Sequence, residues 1–183
     1  QAGRVQTTGD KNTVVGAEAM FANTTGSQNV AIGYCSLKAN ITAGWNVAVG
    51  YNTLLANTYG YNNVAVGHGT GRAITTGYNN IGIGRDAGKA ITTGSQNVVV
   101  GTYALQTCTT GGFNTALGHS TAKDLTTGTH NVAVGIGALE KTTTGGYNVG
   151  IGALSLFTNT TGAQNIAIGR NALYDLTTAS NVI

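Results

Sequence analysis

The chain carries short bursts of large apolar, small, large apolar residues: VAI at 30–32, VAV at 47–49, 64–66 and 132–134, IGI at 81–83, VGI at 149–151 and IAI at 166–168. An Asn opens each burst and a Gly closes it. The opening residues are Asn12, Asn29, Asn46, Asn63, Asn80, Asn97, Asn114, Asn131, Asn148 and Asn165, each 17 residues from the last. Asn181 reads as the start of a further copy, one residue early. A fixed short period is the mark of stacked repeats. Seventeen residues are too few for a helix pair and suit one coil of a parallel β-solenoid, a β-roll or β-helix of about 11 coils, near 50 Å long at about 4.8 Å per coil. The repeat fills the chain, so residues 1–183 read as one all-β domain.

Numbering each repeat from its Asn, period-two alternation at positions 2 to 4 predicts a strand with one face buried. The larger residues at positions 2 and 4, with the usual Leu at position 9, are the expected core. The small residues at positions 3 and 8 suit close approach of another sheet or subunit. The Asn column is expected to form an amide ladder from coil to coil. Position 5 is Gly throughout: Gly16, Gly33, Gly50, Gly67, Gly84, Gly101, Gly118, Gly135, Gly152 and Gly169. Position 15 is Gly except at Ala43 and Ala179. Both columns predict corners of positive φ or close backbone approach. The absence of Pro suits a chain in which every coil donates to a ladder, and no apolar stripe of helical period occurs.

Composition narrows the function. Charged residues are 8% and the net charge is +3. Lys38, Arg72, Lys89 and Lys123 share position 10, a basic stripe able to attract anionic polysaccharide or nucleic acid, or simply a solvated face. The repeat gives no reason to expect nucleic acid as a partner. Register predicts Lys123–Glu140 and Asp124–Lys141 as cross-coil ion pairs. Arg72 and Lys89 are adjacent like charges, which repel unless an anion or a partner lies there. No run of 18 apolar residues predicts a membrane span.

Candidate chemistry is sparse. Cys35 and Cys108 lie four coils apart, too far for a disulfide. His68 and His119 share position 6 three coils apart, and His130 is at position 17. Paired carboxylates are likewise separated by three or four coils, beyond what glycoside hydrolysis uses. "GHGTG" at 67–71 and "GIGRDAG" at 82–88 are copies of the repeat rather than phosphate loops. No catalytic residue, metal ligand or cofactor is expected, and the chain reads as non-enzymatic. Three sequons, at Asn23, Asn40 and Asn159, arise from the repeat itself. Tyr34 and Tyr51 should stack at position 6. Trp45, Phe113 and Tyr147 occupy position 17, beside Tyr61 and Tyr78, as corner packing, subunit contacts or sugar platforms. Thr-Thr at positions 13 and 14 should turn one hydroxyl outward per coil, the kind of array an ice-binding solenoid uses.

"NTTGSQNVAIGYCSL" at 23–37 and "NTTGAQNIAIGRNAL" at 159–173 resemble repeats of phage and virus tail fibres. They also resemble the "SVAIGxxA" repeat in the head of YadA-like trimeric autotransporter adhesins. That resemblance covers nearly the whole chain. It implies a parallel β-roll displayed outside the cell or on a virion, homotrimeric, with attachment as its role. The 17-residue coil is longer than the adhesin repeat, so cross-section and handedness are not carried over. Three functions follow as expectations: a structural rod of an extracellular fibre or filament, a glycan- or cell-surface-binding module, and an ice-binding solenoid. The partner expected first is the chain itself, as a trimer or as a head-to-tail filament in which Ile183 meets Gln1 across a gap of positions 4 to 6.

Overall fold

In a computed structural model that describes residues 7–183, each burst is a three-residue strand: β1 (Thr13–Val15), β2 (Val30–Ile32), β3 (Val47–Val49), β4 (Val64–Val66), β5 (Ile81–Ile83), β6 (Val98–Val100), β7 (Thr115–Leu117), β8 (Val132–Val134), β9 (Val149–Ile151) and β10 (Ile166–Ile168). They form one parallel sheet in chain order. Residues 17 apart pair directly, as in Val47↔Val64, Ala48↔Ala65 and Val49↔Val66. The fold is a parallel β-solenoid of ten strands and about nine turns, without helix among the described residues. At about 4.8 Å per step the sheet runs roughly 43 Å from β1 to β10.

The sheet is turned the opposite way from the expectation. Position 3 faces the interior: Ala31, Ala48, Ala116 and Ala133 are fully buried and Val99 nearly so. The Val and Ile of positions 2 and 4 face outward, half-buried or exposed. The core is instead built from positions 3, 8, 9 and 12, with Leu37, Leu54, Leu105, Leu139 and Leu156 at position 9. The reason is width. A side chain at position 3 meets positions 8 and 9 across a narrow coil: a Cβ on Gly150 would lie 3.0 Å from Leu139 Cδ1 and 3.0 Å from Ser155 Oγ. Only small residues fit there beside a Leu.

Positions 9 and 12 exchange volume. Leu54 is followed by Asn57, but Gly71 by Ile74 and Gly88 by Ile91, then Leu105 by Cys108 and Ala122 by Leu125. The isoleucine side chains occupy the space a position-9 side chain would take, since a Cβ on Gly88 would sit 2.9 Å from Ile91 Cδ1. The exchange keeps one large side chain in each of these coils, but Gly71 and Gly88 leave less filled volume than Leu54, and a small cavity there is lined by Gly71, Ile74, Gly82, Gly88 and Ile91.

The Asn column is a ladder with two bonds per rung. Each Oδ1 accepts the backbone N–H of the Asn 17 residues on, as from Asn46 to Asn63 at 2.9 Å and Asn97 to Asn114 at 3.0 Å. Each Nδ2 donates to the position-15 carbonyl leading into the next coil, as Asn97 does to Gly111 at 3.0 Å. All but Asn12 are buried. A second, shorter Asn column stands at position 12. Asn40 Nδ2 donates to Asn23 Oδ1 at 2.7 Å and Asn57 Nδ2 to Asn40 Oδ1 at 3.3 Å. It stops where Ile74 begins, leaving Asn57 Oδ1 buried without a partner.

The two Gly columns divide the two expected roles. Position 5 has φ between +121° and +139°, a region Gly alone adopts readily. Position 15 has ordinary φ but close approach: a Cβ on Gly111 would lie 2.5 Å from Gly128 O. Corners elsewhere use left-handed residues that are mostly not Gly. Positions 7, 9 and 17 have φ between +46° and +65° in coil after coil, including Cys35, Leu37 and Trp45. Each such residue costs about 1–2 kcal/mol. The geometry persists because each of these N–H groups is bonded to a neighbouring coil: Cys35 to Ala17 O at 3.0 Å, Leu37 to Thr53 O at 3.0 Å, Trp45 to Ser27 O at 3.2 Å.

Asn181 does not open a new copy. Its φ of +61° places it at position 17, and Val182 takes position 1, donating its N–H to Asn165 Oδ1 at 3.0 Å. No residue is missing from the last repeat. Ile183 is therefore at position 2, and a head-to-tail join to Gln1 would leave positions 3 to 6 open rather than 4 to 6. Gln1 lies outside the described residues.

Candidate functional surfaces

The outward Val and Ile columns make one continuous apolar strip along the sheet. Val15, Ile32, Ile81, Ile83, Leu117, Ile151, Ile166 and Ile168 are among the exposed large hydrophobics. Ten strands of three residues give roughly 450 Å², and the flanking columns at positions 6 and 17 are mixed, with Lys11, Arg85, Arg170 and several Asn and Gln standing among the aromatic rings. The strip alone equals the largest apolar patch of a typical monomer, about 300–600 Å² and often functional.

Aromatic rings edge this face on both sides. Tyr34, Tyr51 and His68 stack at position 6, with centroids 5.4 and 5.0 Å apart. Phe113, His130 and Tyr147 stack at position 17, at 4.7 and 4.6 Å and within 12° of parallel. His130 is thus the filling of a ring stack. Tyr61 and Tyr78 stack at 5.1 Å. Phe157 and Tyr174, which sequence reading passed over, do so at position 10. Of the five aromatics singled out as surface or ligand candidates, Tyr34, Tyr51, Phe113 and Tyr147 spend ring faces on one another or on a histidine. Trp45, 60% exposed, has no ring partner among the described residues.

The Thr-Thr columns separate as expected. Position-13 hydroxyls, such as Thr75 and Thr126, donate to the carbonyl of the next coil at 3.2 and 3.0 Å. Position-14 residues face solvent in a single file, interrupted by Tyr59.

Charges pair across coils only in part. Lys141 Nζ meets Asp124 at 3.0 Å, as register predicts. Glu140 turns to Lys141 at 3.9 Å rather than to Lys123. A pair not foreseen joins Lys38 to Glu18 at 2.6 Å. The Lys38 ammonium, helped by Cys35, which donates to the same carboxylate at 3.4 Å, holds the Glu18 carboxyl below its usual range. Lys38 and Lys141 are raised by the acids beside them, Glu18 and Asp124. Both thiols are free and buried. Burial pushes Cys35 up and Cys108 up to about 11, which makes both poor nucleophiles.

Among the described residues no three His, Cys, Asp or Glu side chains converge on a possible metal position, and no helix is long and apolar enough to cross a membrane. Asn23, Asn40 and Asn159, the three sequon residues, are fully buried, so their amides are closed to a glycan in the folded chain. An open groove of about 450 Å³ is lined by Leu55, Ala56, Arg72, Ala73, Lys89 and Ala90. Comparison with known protein families, with curated proteins and with solved structures finds no match to this chain.

Proposed function

We propose that the protein is a non-enzymatic structural rod of an extracellular fibre or filament, of the tail-fibre or bacterial surface type, that associates with copies of itself through the outer face of its sheet. The observation that carries this reading is the apolar strip of positions 2 and 4. The strip of roughly 450 Å² supplies the apolar core of such an interface, and the mixed columns at positions 6 and 17 supply its polar rim, together near the roughly 800 Å² that each partner contributes to a standard interface. The strip's lack of charged side chains within the strands and its aromatic borders fit an interface core. The resemblance to tail-fibre and YadA-like repeats points to the same class and to a homotrimer. Particle mass by light scattering, with electron microscopy of the particles, tests it. The expected result is a discrete oligomer or a filament, converted to monomer by Ile81→Lys with Ile83→Lys. A monomer at all concentrations up to about 1 mM contradicts it.

The glycan-binding reading is weaker on the aromatics, because a sugar stacks on an open ring face, and Tyr51 has both faces covered while Tyr34, Phe113 and Tyr147 have one each. The ice-binding reading rests on one file of position-14 hydroxyls without a second file beside it.

A further inference from the structure

Columns that the repeat leaves variable are where a chain this regular can carry a specific contact, and position 10 is one of them. Its two adjacent cations fall in the coils that begin at Asn63 and Asn80, beside the Ala that position 11 keeps through the first five coils. Arg72 and Lys89 stand there in one column, one coil apart. Like charges directly opposite on neighbouring strands destabilise, and the other charges on this side of the rod avoid it: Lys123 is followed by Glu140, and Asp124 by Lys141. Lys89 is steadied by the buried Asp86 carboxylate at 3.6 Å. Arg72 is exposed, and among the described residues no carboxylate lies within ion-pair distance of it. The two cations, with Leu55 before them in the same column, line one row of an open groove of about 450 Å³, and Ala56, Ala73 and Ala90 of position 11 line the other.

We propose that this groove binds the anionic unit of an acidic polysaccharide, its carboxylate or sulfate held between Arg72 and Lys89 and its ring lying on the alanine row. The guanidinium of Arg72 offers the bidentate fork that suits either oxyanion. A pyranose presents an apolar face to the methyl groups while its charged substituent sits at one edge. Two alternatives fit worse. The groove holds no aromatic ring on which a nucleic-acid base would stack. Its backbone donors are already used between coils, Ala56 to Arg72 O, Ala73 to Lys89 O and Ala90 to Gln106 O, so an extended peptide has no edge to join. The groove lies off the sheet face, so occupancy here and self-association there are independent, and failure of one leaves the other standing.

The test is calorimetric titration of the intact protein with heparin as the sulfated probe, polygalacturonate as the carboxylated probe, neutral dextran and duplex DNA, at low salt where charge attraction is not screened. Binding to one or both acidic polysaccharides and none to dextran is expected, and which of the two binds identifies the anion. Arg72→Ala should weaken it about tenfold or more, the effect of losing one charge-assisted bidentate contact. Ala73→Gln, which fills the alanine row without changing charge, should weaken it similarly. Lys123→Ala, a cation of the same column away from the groove and without an ion-pair partner among the described residues, should change it less than about twofold. Circular dichroism confirms that each variant keeps the parent's fold. Absence of binding to both polysaccharides, equal loss in Lys123→Ala and Arg72→Ala, or DNA binding as tight as polysaccharide binding would each overturn the proposal.

Discussion

Replacing Asn97 by Ala removes one rung from the middle of the amide ladder. Asn97 Oδ1 accepts the backbone N–H of Asn114 at 3.0 Å and its Nδ2 at 3.1 Å, while Asn97 Nδ2 donates to Gly111 O at 3.0 Å and to Asn80 Oδ1 at 3.0 Å. Two of the four partners have other outlets. Asn114 Nδ2 still donates to Gly128 O at 3.0 Å, and Asn80 Oδ1 still accepts the Asn97 backbone N–H at 3.1 Å. The other two do not. The Asn114 N–H loses its partner, and Gly111 O keeps only the weak Cys108 Sγ–H at 3.6 Å. Each buried orphan costs about 1–3 kcal/mol, so the variant should lose about 2–6 kcal/mol. Guanidinium unfolding followed by circular dichroism measures this, with Gln96→Ala on the exposed side of the same corner as the control, expected within about 0.5 kcal/mol of the parent. Because stacked repeats couple mainly to their neighbours, the break should also show as a separation of the two halves into distinct transitions. A loss for Asn97→Ala no larger than for Gln96→Ala would refute the reasoning that the ladder holds the coils together.

Gly101→Ala should destabilise by more than about 2 kcal/mol, because the new Cβ meets Gly118 O at 2.2 Å on a backbone of φ +135°. Gly146→Ala, at a position-16 site where the next repeat already has Ala163, should cost far less; chemical denaturation of both checks the contrast. Neither Cys35 nor Cys108 should react with a thiol reagent at pH 8 while the protein is folded, and both should react in denaturant. Fast labelling of folded Cys108 would contradict its burial and its pKa of about 11. The Glu18 carboxyl should titrate below 4.5 by NMR and move upward in Lys38→Ala. The sign follows from the lowered value: the pair's contribution to stability is present above about pH 4.5 and fades as the pH falls through Glu18's own, lower pKa.

Much of the fold was legible in the residues. The 17-residue spacing of the Asn column placed all ten strands and their register, and invariant Gly at position 5 located the corners. What alternation left open was which face turns inward. Period two sorts residues into two sets without saying which is buried, and size suggested the wrong set. The Asn column held the answer, since positions 1 and 3 share a face and an amide ladder has value only away from water. The left-handed corners at positions 7, 9 and 17 were hidden because Leu, Tyr, Trp and Phe there carry no preference for positive φ. Two signals were available: Asn52, Gly69, Asp86, Gly71, Asn62 and Asn79 in these columns are residue types that enter that region readily, and in a chain crowded with Val, Ile and Thr none of these β-branched residues occupies those three columns. Of the candidate surfaces, the Tyr34–Tyr51 stack and the Asp124–Lys141 pair followed from register alone. The apolar strip did not, because it depends on the inward–outward choice. The Arg72–Lys89 groove was visible only as an unexplained juxtaposition of like charges.

That inward–outward choice underlies the core, the interface and the ladder together, and a cysteine scan across one strand measures it most directly. In dilute protein, with Cys35 and Cys108 buried and silent, Val47→Cys and Val49→Cys should label rapidly and Ala48→Cys should stay protected until the chain unfolds. Rapid labelling at residue 48 with protection at 47 and 49 would contradict the account.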